Sequence, residues 1–206
     1  MLRMGVLVSG GGTNLQAIID KLQAGEIRNC EIAVVVSSKP GAYALERAVA
    51  AGIPTAVVEK GTSGVATNAT DPSGATFDGR LLAKLDEYKV DFVVLAGFMH
   101  ILGAEFIARF PNKIINVHPS LIPSFCGKGF YGLKPHQAAL EYGVKVTGAT
   151  VHFVTEGADE GPIILQKAVE VCEGDTAEIL QQRVMVEAEW EILPKAIDLF
   201  CTSELH

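Results

Sequence analysis

Along the first two thirds of the chain, short apolar runs alternate with amphipathic stretches. Residues 5–8 predict a buried strand. After a glycine turn, Leu15, Ile18, Ile19 and Leu22 recur at helix spacing, and Gly25 closes that stretch. Residues 32–36 predict a second strand, 43–51 a helix ended by Gly52, and 54–58 a short strand. Leu81, Leu82, Leu85 and Tyr88 share one helical face, and residues 92–95 follow as a strand. A short helix carries Phe106, Ile107 and Phe110 and stops at Pro111, before a strand at 114–117. Strand and helix in turn are the pattern of a parallel sheet covered on both faces.

The last third reads differently. Residues 146–155 alternate, with Ala149, Val151 and Phe153 on one side and His152 on the other. Residues 162–171 form another extended run after a turn-rich link, too short for a parallel crossover, so an antiparallel hairpin is expected. Asp175 is expected to cap the final helix in a capping box with Glu178, and Pro194 to kink or restart it near Trp190. Two stretches read as loops: residues 61–76, and residues 120–133, whose glycines, prolines and aromatics suggest a functional flap. The expected fold class is thus α/β: one Rossmann-like domain over residues 1–206, mostly parallel, with helices on both faces and an antiparallel C-terminal hairpin.

Composition narrows the partners. The chain has 206 residues, 24 acidic and 17 basic, for a net charge of −7. That balance argues against nucleic acid as the main partner and leaves room for a local pocket that takes a small anion. No apolar window approaches a membrane span of about 18 residues, and the N-terminal apolar stretch is too short for a signal peptide. Cys30, Cys126, Cys172 and Cys201 are scattered, with no paired spacing, as expected of free thiols in a cytoplasmic protein.

Three places carry candidate chemistry. The segment Ser9-Gly10-Gly11-Gly12-Thr13-Asn14 joins the first strand to the first helix, where free N–H groups favour an anion. It lacks the Walker lysine and the dinucleotide spacing, so a phosphate monoester suits it better than a dinucleotide. Asn116 and His118 lie two apart at the end of a strand, on one side of it, at the sheet edge where ligands of α/β proteins collect. An amide donor beside an imidazole can hold an oxyanion and move a proton. Asp159 lies in the hairpin link; beside an imidazole it would favour the protonated ring, though spacing alone leaves an ordinary turn aspartate equally open. His100, His136 and His152 have no spacing that assembles a metal site, and none is expected.

Ser9 to Ile18, Leu95-Ala96-Gly97-Phe98-Met99, Ile115-Asn116-Val117-His118-Pro119-Ser120-Leu121, and Val151-His152-Phe153-Val154 with Asp159-Glu160-Gly161-Pro162 occur in this order. Together they resemble the folate-dependent phosphoribosylglycinamide formyltransferases, over nearly the whole chain. The resemblance implies transfer of a formyl group from 10-formyltetrahydrofolate, without a metal, to the amine of 5-phosphoribosylglycinamide in purine biosynthesis. It divides the chain into a phosphate-binding half, about 1–110, and a folate and catalytic half, about 111–206. It makes Asn116, His118 and Asp159 the catalytic trio, with the tetrahedral intermediate stabilised by Asn116 and protonated His118. Gly12, Thr13, Asn14 and Glu189 would hold the ribonucleotide. Arg80, Met99, His100, Ile101, Leu102, Asn116, Thr155, Glu156, Gly157, Ala158 and Asp159 would hold the folate. One residue more than the family pattern separates Arg183 from Pro194, which selects Glu189 over Glu187. The partners implied are small molecules, with no nucleic acid and no membrane, for a monomer or homodimer. Rival readings are a methionyl-tRNA formyltransferase, a formyltetrahydrofolate hydrolase, and a non-catalytic sensor that uses the glycine loop alone.

Overall fold

The computed structural model describes residues 1–60 and 76–204. The loop expected at 61–76 lies, apart from Thr76, outside the described residues. The elements run β1 (Leu2–Val8), α1 (Thr13–Gln23), β2 (Cys30–Ser37), α2 (Tyr43–Ala50), β3 (Thr55–Val57), α3 (Phe77–Glu87), β4 (Phe92–Leu95) and α4 (Ala104–Arg109). They continue β5 (Ile114–His118), α5 (Lys134–Tyr142), β6 (Val146–Phe153), β7 (Ile163–Glu170) and α6 (Ala177–Val184). A π-helical turn (Met185–Glu189) then leads into α7 (Trp190–Cys201). No described helix is long and apolar enough to cross a membrane.

The seven strands form one sheet in the order β3-β2-β1-β4-β5-β6-β7. Pairing is parallel from β3 through β5 and antiparallel from β5 to β7. Alternation along each strand feeds two apolar clusters. Met4, Val6 and Val8 of β1, Phe92 and Val94 of β4, and Ile115 and Val117 of β5 join α1 and α7 in one. Leu7, Val93, Leu95 and Ile114 join α3 and α4 in the other. Strands buried on both sides read as continuous apolar runs, which is why the sequence shows them so clearly. By the same alternation Asn116 and His118 fall on the Ile114 side of β5, just past its apolar part. Because β2 and β4 flank β1 on opposite sides, the chain changes direction across the sheet at β1 and β4, and a crevice opens beyond their carboxyl ends.

One local expectation is corrected. The cap of α6 is Thr176, whose hydroxyl accepts from the Ile179 N–H at 3.3 Å. Asp175 is taken up elsewhere, by the Cys172 N–H at 2.8 Å and the Arg183 guanidinium. Helix α5, left unassigned by periodicity, starts with Lys134-Pro135 and buries Pro135, His136 and Ala139, too few large apolar side chains to show a stripe. The break foreseen near Trp190 is the π turn: α7 restarts at Trp190, whose carbonyl finds no N–H at Pro194 four residues on.

Candidate active site

A cleft of about 980 Å³ occupies the crevice, lined by the glycine loop, the segment after β4, the end of β5, the flap, the β6–β7 turn, and the α6 and π-turn face. That is the upper end of the size range for small-molecule sites. Both halves of the chain contribute: Met99 to Leu102 from the first, Glu189 from the second.

The glycine loop ends at Gly12, the N-cap of α1, with φ 72° and no side-chain cap, and no acidic residue stands in the first turn. Its backbone is pinned from behind, because Ala44 N–H donates to the Gly10 carbonyl at 3.1 Å and Arg47 Nε to the Gly11 carbonyl at 2.8 Å. A Cβ at Gly12 would lie 2.6 Å from the Ala44 Cβ. Glycine is therefore required there by the packing of α1 on α2 as well as by its dihedral. The first N–H groups of α1 remain available for an anion. Asn14 donates through Nδ2 to Glu189 Oε2 at 2.7 Å, while its own Oδ1 is buried with no protein partner. Burial pushes the Glu189 carboxyl up, and the Asn14 bond only partly offsets this. Glu187 points to solvent, so the π turn delivers Glu189 to the site.

The reacting end is built on paired strands. Asn116 of β5 and His152 of β6 sit directly opposite each other in the antiparallel ladder. His152 Nδ1 lies 2.8 Å from the Phe153 carbonyl, which makes it the protonated nitrogen. With the ring neutral, Nε2 accepts from Asn116 Nδ2 at 3.1 Å, which leaves the second amide N–H to the cleft; with the ring protonated, its N–H turns to Asp159. Asp159, in the hairpin turn with φ 59°, reaches both rings: Oδ2 lies 3.4 Å from His118 Nδ1 and Oδ1 3.6 Å from His152 Nε2. Its Oδ2 also accepts the Gly127 N–H at 2.9 Å. Burial works to raise the Asp159 carboxyl; the His152 contact, the His118 charge and the Gly127 bond together outweigh it, and the carboxyl is held below its usual range. His118 Nε2 faces the Phe125 carbonyl at 3.0 Å. With a carboxylate at one nitrogen and a carbonyl at the other, only the doubly protonated ring donates to both.

The structure thus brings together Asn116, His118 and Asp159 at one end of the cleft, and Gly12, Thr13, Asn14 and Glu189 at the other. Met99, His100, Ile101, Leu102, Thr155, Gly157 and Ala158 line the same cleft, the last three in the turn that carries Asp159. Met99 and Ile101 are half exposed apolar side chains at its lip, whereas the His100 ring turns away to Asp78, with Nε2 2.9 Å from Oδ1. Two residues fall outside the lining. Glu156 is absent from it, and Arg80 Nη2 donates to the Glu59 carbonyl at 3.0 Å. His152 is the participant that sequence reasoning missed. Its signal was present in the alternation of β6, but the β5–β6 register was needed to place it beside Asn116.

A switch-point cleft with a glycine loop and open helix N-terminus at one end and an amide, two imidazoles and a carboxylate at the other defines an α/β enzyme acting on small molecules. The Formyl transferase family matches residues 2–197, and the chain belongs to that family. It is 40% identical over 200 residues to the phosphoribosylglycinamide formyltransferase of Escherichia coli, covering 97% of this chain and 87% of that one. It is 43% identical to a trifunctional purine biosynthetic protein of Gallus gallus, of whose length it spans 19% while matching 100% of its own. Among solved structures, the glycinamide ribonucleotide transformylase 1 of Symbiobacterium toebii superposes with a TM-score of 0.87 at 47% identity, covering 98% and 89% of the two chains. A formyltetrahydrofolate deformylase of Pseudomonas syringae superposes at 0.81 with 28% identity, over 98% of this chain and 62% of that one.

Proposed function

We propose that this protein transfers the formyl group of 10-formyltetrahydrofolate to the amine of 5-phosphoribosylglycinamide, as the name of the Escherichia coli relative suggests. The observation that carries the reading is a single cleft with an anion-ready helix N-terminus at one end and the Asn116, His118 and Asp159 cluster at the other. The ribonucleotide's phosphate takes the N–H groups after Gly12, and Asn14 and Glu189 receive its polar middle. The folate lies along the Met99 to Leu102 segment and the turn at 155–159, where the half-exposed Met99 and Ile101 suit a flat ring.

The acceptor nitrogen attacks the formyl carbon and the carbonyl oxygen takes up the electron pair as an oxyanion. The free N–H of Asn116 and a proton of His118 stabilise that charge. Collapse breaks the bond from carbon to the folate nitrogen, which receives a proton as the acceptor nitrogen loses one, with His118 as the relay. Asp159 orients the ring through Nδ1. For His118 to turn Nε2 to a substrate, the Phe125 carbonyl must give it up, so movement of the flap belongs to the catalytic cycle.

The test is product formation by purified protein with the folate donor and the ribonucleotide. We expect formylated ribonucleotide and tetrahydrofolate in equal amounts. Formate released without the acceptor would assign the deformylase reaction instead. Asn116→Ala and His118→Ala should each lower kcat by about 10²–10³, the worth of an oxyanion donor.

A further inference from the structure

We infer that Lys134, the first residue of α5, is the cation that meets the acceptor's phosphate and makes the enzyme prefer a phosphorylated acceptor. The inference rests on the function proposed above. It starts from a shortage, since the glycine loop offers only neutral N–H donors to a dianion. The nearby arginine keeps its charge but is turned to the back of the loop, outside the cleft lining. Arg47 spends Nε on the Gly11 carbonyl and Nη1 on Gln16 Oε1, at 2.8 and 3.1 Å, and lies over the Tyr43 ring.

Among the described residues that line the cleft, the Lys and Arg side chains are Lys128 and Lys134, and neither has a carboxylate partner in an ion pair. Their positions separate them. Lys128 follows Gly127, whose N–H is bound to Asp159, which places it at the reacting end. Lys134 belongs to the other end through a chain of contacts. Gln181 Nε2 donates to the Gly132 carbonyl at 3.3 Å, Met185 lies one turn on from Gln181, and Thr13 Oγ1 sits 3.8 Å from Met185 Sδ. The end of the flap and the glycine loop thus rest on successive turns of one helical face, which puts Lys134 on the glycine-loop side of the cleft.

Lys134 is also free to move. Its Nζ rests 4.3 Å from the Tyr131 ring centroid and 3.3 Å from the Tyr131 hydroxyl, contacts a solvent-exposed ammonium on a four-carbon stem exchanges readily for a phosphate. In a chain of net charge −7, an unneutralised lysine is the group the cleft has available for a dianion.

The experiment compares kcat/KM for the ribonucleotide and for the same glycinamide riboside without its phosphate, in wild type, Lys134→Met and Lys134→Arg. Lys134→Met should lose about tenfold to hundredfold on the phosphorylated acceptor, the range of a charged hydrogen bond. The loss should appear in its KM, with no change on the riboside or in the KM for folate. Lys134→Arg should retain most of the preference. An equal loss on both acceptors, no loss, or the same selective loss in Lys128→Met alone would overturn the assignment. Should wild type transfer no formyl group, the function proposed above fails, and calorimetric titration with inorganic phosphate decides the lysine by itself. Weaker binding by Lys134→Met supports it, and equal binding overturns it.

Discussion

His136 is fully buried, with both ring nitrogens lacking a protein partner. Burial, with a smaller contribution from the charge on His118, pushes its pKa down to about 4. A histidine whose pKa is lower folded than unfolded contributes stability above its unfolded value of about 6.5, and that contribution drains away as pH falls toward 4. The full effect is on the order of 3 kcal/mol. We expect the urea midpoint of His136→Gln to fall less than that of wild type between pH 6.5 and 4; parallel curves would refute a buried neutral ring. Asp159, held low, gives up its contribution only further into acid, so the two windows separate. At this scale the sequence was readable where a residue's position on its own strand decided which side it faces, as for Asn116 and His118. It was silent where a residue's surroundings depend on a partner strand or on which way a side chain turns. His152 needed the β5–β6 register, and for Arg80, on α3, the bond to the Glu59 carbonyl could be seen only in the folded chain.

The π turn shows how an element absorbs a local irregularity. Leu180, Val184, Ala188, Ile192 and Ala196 are all buried and spaced by four. Each such step overshoots a 3.6-residue turn by about 40°, so an uninterrupted α-helix would rotate this stripe off the core. A wider turn at Met185–Glu189 takes back much of that rotation. Deleting the exposed Val186 should therefore leave a continuous helix with Glu189 still in the cleft. We expect a folded protein whose melting temperature changes by only a few degrees. Deletion of Gln182, inside α6, should instead rotate everything after it and unfold the C-terminal region; equal damage from both deletions would sink the account. Periodicity and Pro194 told of a break here but not of its kind, because a single helical turn of different width leaves no compositional mark.

For the whole molecule, the sheet order follows from rules the sequence already obeyed: parallel units joined by helices, then a hairpin that must run antiparallel. The flap did not follow from them. Its course is set by distant partners: Ile122 N–H on Thr150 Oγ1, Gln166 Nε2 on the Ile122 carbonyl, and Gly127 N–H on Asp159. A cleft built from both halves of the chain links ligand binding to global stability. Each substrate at a hundred times its dissociation constant should contribute about 2.7 kcal/mol, raising the melting temperature by roughly 5–10 °C. A calorimetric scan with the ribonucleotide alone, and another with the folate alone, checks this. A ligand that binds without any rise must bind the unfolded chain as well.

Asn116, His118 and His152 stand on two neighbouring strands of one ladder, and Asp159 on the turn that leaves the second of them. Their spacing is inherited from backbone pairing, which tolerates little variation. In the function we propose, the groups facing the acceptor stand instead at helix ends, Asn14 in the first turn of α1, Glu189 on the π turn and Lys134 at the start of α5, beside connecting segments that can change at small energetic cost. On that proposal, chemistry and choice of acceptor are written in separate parts of the polypeptide, and a protein engineer seeking a new acceptor would vary the helix ends and their loops and leave the strands untouched.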